Sequence, residues 1–119
     1  VSDYFIRANS FAAPFFSDDS SSYQAGETPE KALLAFAKAY KHPAGLYAAL
    51  AYTSADAYHK GEPALATWLC NHEIAKMEAT KNLGSYGYFG DGPGHFKINE
   101  EWHTVKNPRA GRIVEQAHA

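Results

Sequence analysis

The chain is short of arginine and cysteine and has no long apolar run, and each shortage removes a class of function. Arginine occurs only at Arg7, Arg109 and Arg112, and the formal net charge is -2 over 119 residues. A protein that grips a nucleic-acid polymer draws much of its affinity from neutralising phosphates and therefore carries a basic face. None is visible, so no nucleic-acid polymer is expected as a partner. The single cysteine, Cys70, cannot close an internal disulfide, which fits a reducing compartment. No apolar run approaches the roughly 20 residues of a membrane span. The opening, Val1-Ser-Asp-Tyr4, does not have the form of a signal peptide. Together these features predict a cytoplasmic protein with no membrane partner.

What is present suits a compact fold. A length of 119 residues with 45% apolar content predicts a single domain, 1–119, with a real core. The clearest element runs from Thr28 to Tyr40. Thr28 can N-cap, Pro29 falls at the first helical position, and Glu30 places negative charge at the positive end of the helix. Leu33, Phe36, Ala37 and Tyr40 repeat at helical spacing and predict one buried stripe, and Pro43 and Gly45 end the helix. Tyr4–Asn9 reads as a strand and Tyr23-Gln24 as part of a second. The segment from Gly45 to Tyr58 suits a buried strand better than an Ala-rich helix, with Thr53–Asp56 as a hairpin turn into Tyr58.

Glu62 to Thr80 predicts the second helix, with Leu65, Ala66, Leu69, Cys70, Ile74 and Met77 on its apolar side. Glu73 falls inside that arc, where an unpaired carboxylate would be costly; a lysine partner at the helix edge, a pocket and a subunit contact all account for it. Beyond Leu83 glycine alternates with aromatics. Tyr86–Phe89, Phe96–Ile98 with Phe96 and Ile98 on one face, Trp102–Val105 and Arg112–Glu115 read as successive strands. The expected class is therefore α+β, two amphipathic helices packed on a mostly antiparallel sheet with a C-terminal β-meander.

The chemistry-bearing residues form no recognised catalytic pattern. His72-Glu73 begins like a zinc-protease helix, but Lys76 stands where the second histidine belongs. No metal and no cofactor is expected. Cys70 lies in an apolar setting, where a thiol is usually inert. The glycine cluster of 84–94 lacks the Gly-Lys-Ser/Thr of a phosphate loop and leads into strands rather than a helix. It can serve as an ordinary hairpin with inward rings. It can equally bring Tyr86, Tyr88 and Phe89 against a base, with Asn99 reading a base edge and Arg109 and Arg112 meeting phosphate.

The stretches Glu27-Thr-Pro-Glu-Lys-Ala-Leu33, Lys41-His-Pro-Ala-Gly-Leu-Tyr47, Ala55-Asp-Ala-Tyr-His-Lys-Gly61, Trp68-Leu-Cys-Asn-His72 and Leu83-Gly-Ser-Tyr-Gly-Tyr-Phe89 resemble the phage Thoeris anti-defence protein one family of signal-sequestering sponges. The resemblance implies a non-enzymatic homo-oligomer in the host cell cytosol. Such a protein binds cyclic ADP-ribose isomers made by bacterial TIR proteins without cleaving them, and some members hold cyclic oligonucleotides at a second site. It further implies that an aromatic, an asparagine and arginines clasp adenine and pyrophosphate; Phe89, Asn99, Arg109 and Arg112, with Tyr88 beside them, are the positions here that fill those roles. Two other classes remain open. One is a protein-interaction module that masks a host complex, anchored by Phe11, Phe15 and Phe16. The other is a small nucleotide-acting enzyme with Glu73 or a histidine as base.

Overall fold

The computed structural model describes residues 1–11, 20–41, 43–83, 88–90, 94–98 and 100–114, with backbone alone for 82, 83 and 88–90. The fold is α+β and contains two antiparallel sheets. In the larger, β1 (Ser2–Ser10), β2 (Ser20–Gly26), β3 (Leu46–Tyr52), β4 (Ala66–Cys70) and β8 (Gly111–Val114) lie in the order β2-β1-β3-β4-β8. The smaller is a meander of β5 (Tyr88–Gly90), β6 (His95–Ile98) and β7 (Glu101–Thr104).

Helix α1 (Pro29–Ala39) forms as its sequence directs. The Thr28 side chain accepts from the Lys31 N–H at 3.1 Å, and Pro29 occupies the first turn, where a missing N–H leaves no bond unmade. The helix touches all five strands of the large sheet. Ala32 and Leu33 are buried beneath it, and Phe36, Ala37 and Tyr40 pack on a core of Ile6, Ala8, Ala49, Ala51, Ala66 and Trp68. Strand alternation sends these core side chains to the helix side and Arg7, Asn9, Leu50, Tyr52, Thr67 and Arg112 to the other. The register shifts between Asn9, opposite Ala48, and Ser10, opposite Leu46, and Phe11, bonded through its N–H to the Gly45 carbonyl at 3.1 Å, is buried in the core.

Three expectations are corrected. Residues 62–70 are not helical: Ala66–Cys70 is strand β4, and the helix that follows, α3 (Asn71–Leu83), starts only at Asn71. The segment is buried on both faces, with Ala66, Trp68 and Cys70 on one and Leu69 on the other, so its apolar residues also fit helical spacing. Leu65 and Met77, assigned to the apolar arc, are exposed. Thr53–Asp56 is not a hairpin turn, because Ser54 accepts from the Ala57 N–H at 3.1 Å and caps a short helix, α2 (Ala55–His59). The C-terminal meander is three-stranded, since β8 leaves it to pair with β4 at the edge of the large sheet. The strands at Tyr4–Asn9, Tyr23-Gln24 and Phe96–Ile98 stand, with Phe96 and Ile98 both buried.

Candidate functional site

Strand β4 passes into α3 with no intervening residue, so the first N–H groups of the helix need partners from elsewhere. The loop between β7 and β8 supplies two of them, and Cys70 Sγ accepts from the Glu73 N–H at 3.4 Å. Asn71 N–H donates to the Ala110 carbonyl at 2.6 Å, His72 N–H to the Pro108 carbonyl at 3.2 Å, and Asn71 Nδ2 to the Asn107 carbonyl at 3.1 Å. Arg109 projects from this loop, and its methylene stem crosses Gly45. Gly45 has φ +92, and a Cβ there would lie 3.0 Å from Arg109 Cδ. The left-handed conformation and the close approach both call for glycine. Asn107, Pro108, Arg109 and Ala110 line an open hollow of about 440 Å³.

Arg112 does not share that hollow among its described lining residues. It pairs opposite Leu69 in β8, on the face of the large sheet turned away from α1, and is exposed. Neither Arg109 nor Arg112 has a hydrogen-bonded or ion-paired partner among the described residues. Tyr88 and Phe89 belong to β5, where Tyr88 registers opposite Ile98 and Phe89 opposite Lys97. Asn99, Phe15 and Phe16 lie outside the described residues, and so does most of the Gly84–Gly94 cluster.

Two residues on the small sheet were not singled out from the sequence. Lys97 pairs opposite Trp102 as well as Phe89. Trp102 is 57% exposed, and Lys97 Nζ sits 5.6 Å from its ring centroid. The alternation of His95-Phe-Lys-Ile98 sets Phe96 and Ile98 on one face and so Lys97 on the other; the burial of Phe96 and Ile98 makes that other face the outer one, and the register with β7 adds Trp102 to it.

Beneath the hollow lie the unusual titratable groups. His72 is fully buried, between Phe11 and Phe96, each ring edge-on at 5.7 Å. Its Nδ1 accepts from the Gly94 N–H at 3.0 Å, which leaves the proton on Nε2. Burial, reinforced by the positive charge of Lys76 and by His95, pushes its pKa down to about 4. Phe96 in turn stacks on His103 at 4.9 Å. Next to His72 in α3, Glu73 accepts from the Tyr47 hydroxyl, and Lys76 Nζ, one turn on, lies 3.7 Å from Glu73 and 3.2 Å from the Tyr47 oxygen. The Lys76 side chain is 5% exposed and that of Glu73 20%. Burial raises the Glu73 carboxyl, and Lys76 opposes the rise. The lysine partner expected for Glu73 is thus Lys76. Burial also pushes the Cys70 thiol up to about 11.

Phe11, one of three proposed interaction anchors, is a core residue, edge-on to Tyr47 at 5.0 Å. Among the described residues no group of three or more His, Cys, Asp or Glu is placed to hold a metal ion, and no helix is long and apolar enough to cross a membrane. No known protein family, curated protein or solved structure matches the chain.

Proposed function

We propose that the protein binds a small signalling nucleotide of the cyclic ADP-ribose class and withholds it, unconverted, from a bacterial anti-phage pathway. The ligand class comes from the resemblance of the quoted stretches. The observation that carries the reading is Arg109, exposed at a hollow of about 440 Å³ with its stem laid against Gly45. That volume falls within the roughly 300–1,000 Å³ usual for small-molecule clefts, and a guanidinium positioned in this way suits bidentate contact with a pyrophosphate.

Lys97, paired with Phe89 on one side and with Trp102 on the other, forms with Trp102 an exposed aromatic and cationic strip on which a base can stack. Asn99 completes the proposed set, whereas Tyr88, at the register position of the buried Ile98, does not share the Lys97 strip. Arg112, on a different face, contributes to the same ligand across a contact between copies, which ties the reading to a homo-oligomer. A role without chemistry is supported by the state of the buried groups. The Cys70 thiol is held neutral, and His72 is a weak base enclosed by rings.

A thermal-shift screen of nucleotides tests the proposal. A ligand at a hundred times its Kd stabilises the fold by about 2.7 kcal/mol, and it should be recovered chemically intact. Phe89→Ala, Asn99→Ala and Arg109→Ala should each abolish the shift and leave the ligand-free melting point nearly unchanged. A converted nucleotide would indicate the enzyme reading with Glu73 as acid or base. No response to any nucleotide would favour the interaction module.

A further inference from the structure

The face of the large sheet turned away from α1 carries a second concavity, separate from the Arg109 hollow. Arg7, Ala8, Asn9, Ala48, Leu50, Tyr52 and Tyr58 line an open hollow of about 240 Å³. Two small or aliphatic side chains from β3, Ala48 and Leu50, provide an apolar floor, and β1 sets Arg7 and Asn9 beside them in register. Tyr52 and Tyr58 close one end, edge-on to each other at 5.0 Å. Behind them Phe5 meets Tyr58 at 5.8 Å and Tyr23 at 5.4 Å, so the two phenols are backed by further rings.

Among the described lining residues Arg7 is the charged one, and its position is set by its neighbours. Its guanidinium donates to the Ser21 hydroxyl on β2 and lies 5.0 Å from the centre of the Tyr58 ring. A planar fork fixed by stacking loses little freedom when it meets a carboxylate or phosphate, which it matches in geometry. The Asn9 amide and the Tyr52 hydroxyl add further polar groups, and burial and the neighbouring Tyr58 raise the Tyr52 pKa, so its hydroxyl stays protonated. The open hollow equals about eight water volumes at roughly 30 Å³ each. It takes one ring and one anionic group and is small for a nucleotide with a pyrophosphate.

We propose that this hollow binds a small organic anion, a carboxylate or phosphate monoester carried on a flat apolar body. The anionic group meets Arg7 and the body lies over Ala48 and Leu50 against the tyrosine rings. This site is independent of the nucleotide reading and of Arg109.

The test uses benzoate and phenyl phosphate as probes, with inorganic phosphate as the probe that lacks a ring. Binding is followed by calorimetry and by the ring resonances of Tyr52 and Tyr58. Saturable binding of benzoate or phenyl phosphate is expected, with both tyrosines shifted and inorganic phosphate at least tenfold weaker. Which of the two binds more tightly identifies the anionic group. Arg7→Gln should weaken binding tenfold or more, whereas Lys81→Gln, which removes the same charge from an exposed position on α3, should not. Should Arg7→Gln not fold, Ala48→Leu fills the floor while keeping the charge, and it should weaken binding as much. Equal binding in Arg7→Gln or in Ala48→Leu overturns the proposal, as does the absence of saturation with both ring-bearing probes. Tyrosine shifts that follow protein concentration alone, with dimerisation in sedimentation, also overturn it, since a second copy then fills the face.

Discussion

Acidification should destabilise this protein through His72. The imidazole is fully buried, accepts from the Gly94 N–H through Nδ1, and has its pKa moved from 6.5 to about 4 by burial, with Lys76 and His95 adding to the effect. A depressed pKa means that the folded state holds the ring neutral. The stability from that neutral ring is complete above pH 6.5. It falls as the unfolded chain takes up its proton and is exhausted near pH 4, where the folded form is protonated too. The difference of about 2.5 units, at about 1.36 kcal/mol per unit, amounts to about 3 kcal/mol. Glu73 has the opposite sign: its raised pKa makes the carboxylate a burden above that pKa, and protonation on acidification relieves it. Urea melts at several pH values between 7 and 4 measure the sum. His72→Asn keeps an oxygen acceptor for Gly94 and has no proton to gain, and Glu73 is common to both proteins. The wild type should therefore lose about 3 kcal/mol more than His72→Asn across the window. Parallel pH profiles for the two proteins would refute the assignment.

Three further outcomes follow from the same contacts. Lys76→Met leaves the Glu73 carboxylate without its cation and should cost about 3 kcal/mol in urea melts at pH 7, with Lys76→Met/Glu73→Leu recovering most of the loss; a double variant no better than the single removes the ion pair from the explanation. Gly111→Ala drives a Cβ into the Trp68 ring and the Leu69 carbonyl and should cost about 2 kcal/mol or more, whereas a change under half a kilocalorie would show that β8 can shift. Asn71→Ala removes the bond to the Asn107 carbonyl and should cost about 1 kcal/mol; on the nucleotide reading it also weakens ligand binding up to tenfold, although Asn71 is not among the residues lining the hollow.

The first half of the fold was legible because its signals are local. Thr28, Pro29 and Glu30 mark a helix start through contacts within one turn, and Tyr4–Asn9 is aromatic and β-branched enough to be a strand. The failure at 62–70 has a different origin. A short segment buried on both faces lacks the alternation that separates strand from helix, and Leu65, Leu69 and Ile74 happened to continue a helical spacing across the junction. Which strand β8 joins was not legible either, since pairing with β4 spans more than forty residues and depends on Gly111 admitting the Trp68 ring. At the candidate site, sequence located both arginines but not their separation. Arg112 follows the alternation of a strand, while Arg109 is directed by a loop whose course is set by its carbonyl bonds to α3.

That loop is where fold and proposed function meet. A helix that starts immediately after a strand has few residues of its own with which to cap: Cys70 Sγ accepts from the Glu73 N–H, and the carbonyls of Pro108 and Ala110 accept from the first two N–H groups. The segment carrying Arg109 is therefore fixed by a requirement of the backbone, independent of any ligand. The residue at the centre of the joint is His72: its N–H holds Pro108, its ring holds Gly94, and the Gly94 carbonyl in turn accepts from the Val105 N–H at 2.8 Å. Protonating that ring removes the acceptor for Gly94 and places charge beside Lys76, so the acid transition of the core also acts on the loop that positions Arg109. The course of the segment carrying Arg109 is thus set at neutral pH before any ligand arrives, which on the nucleotide reading lowers the ordering cost of binding.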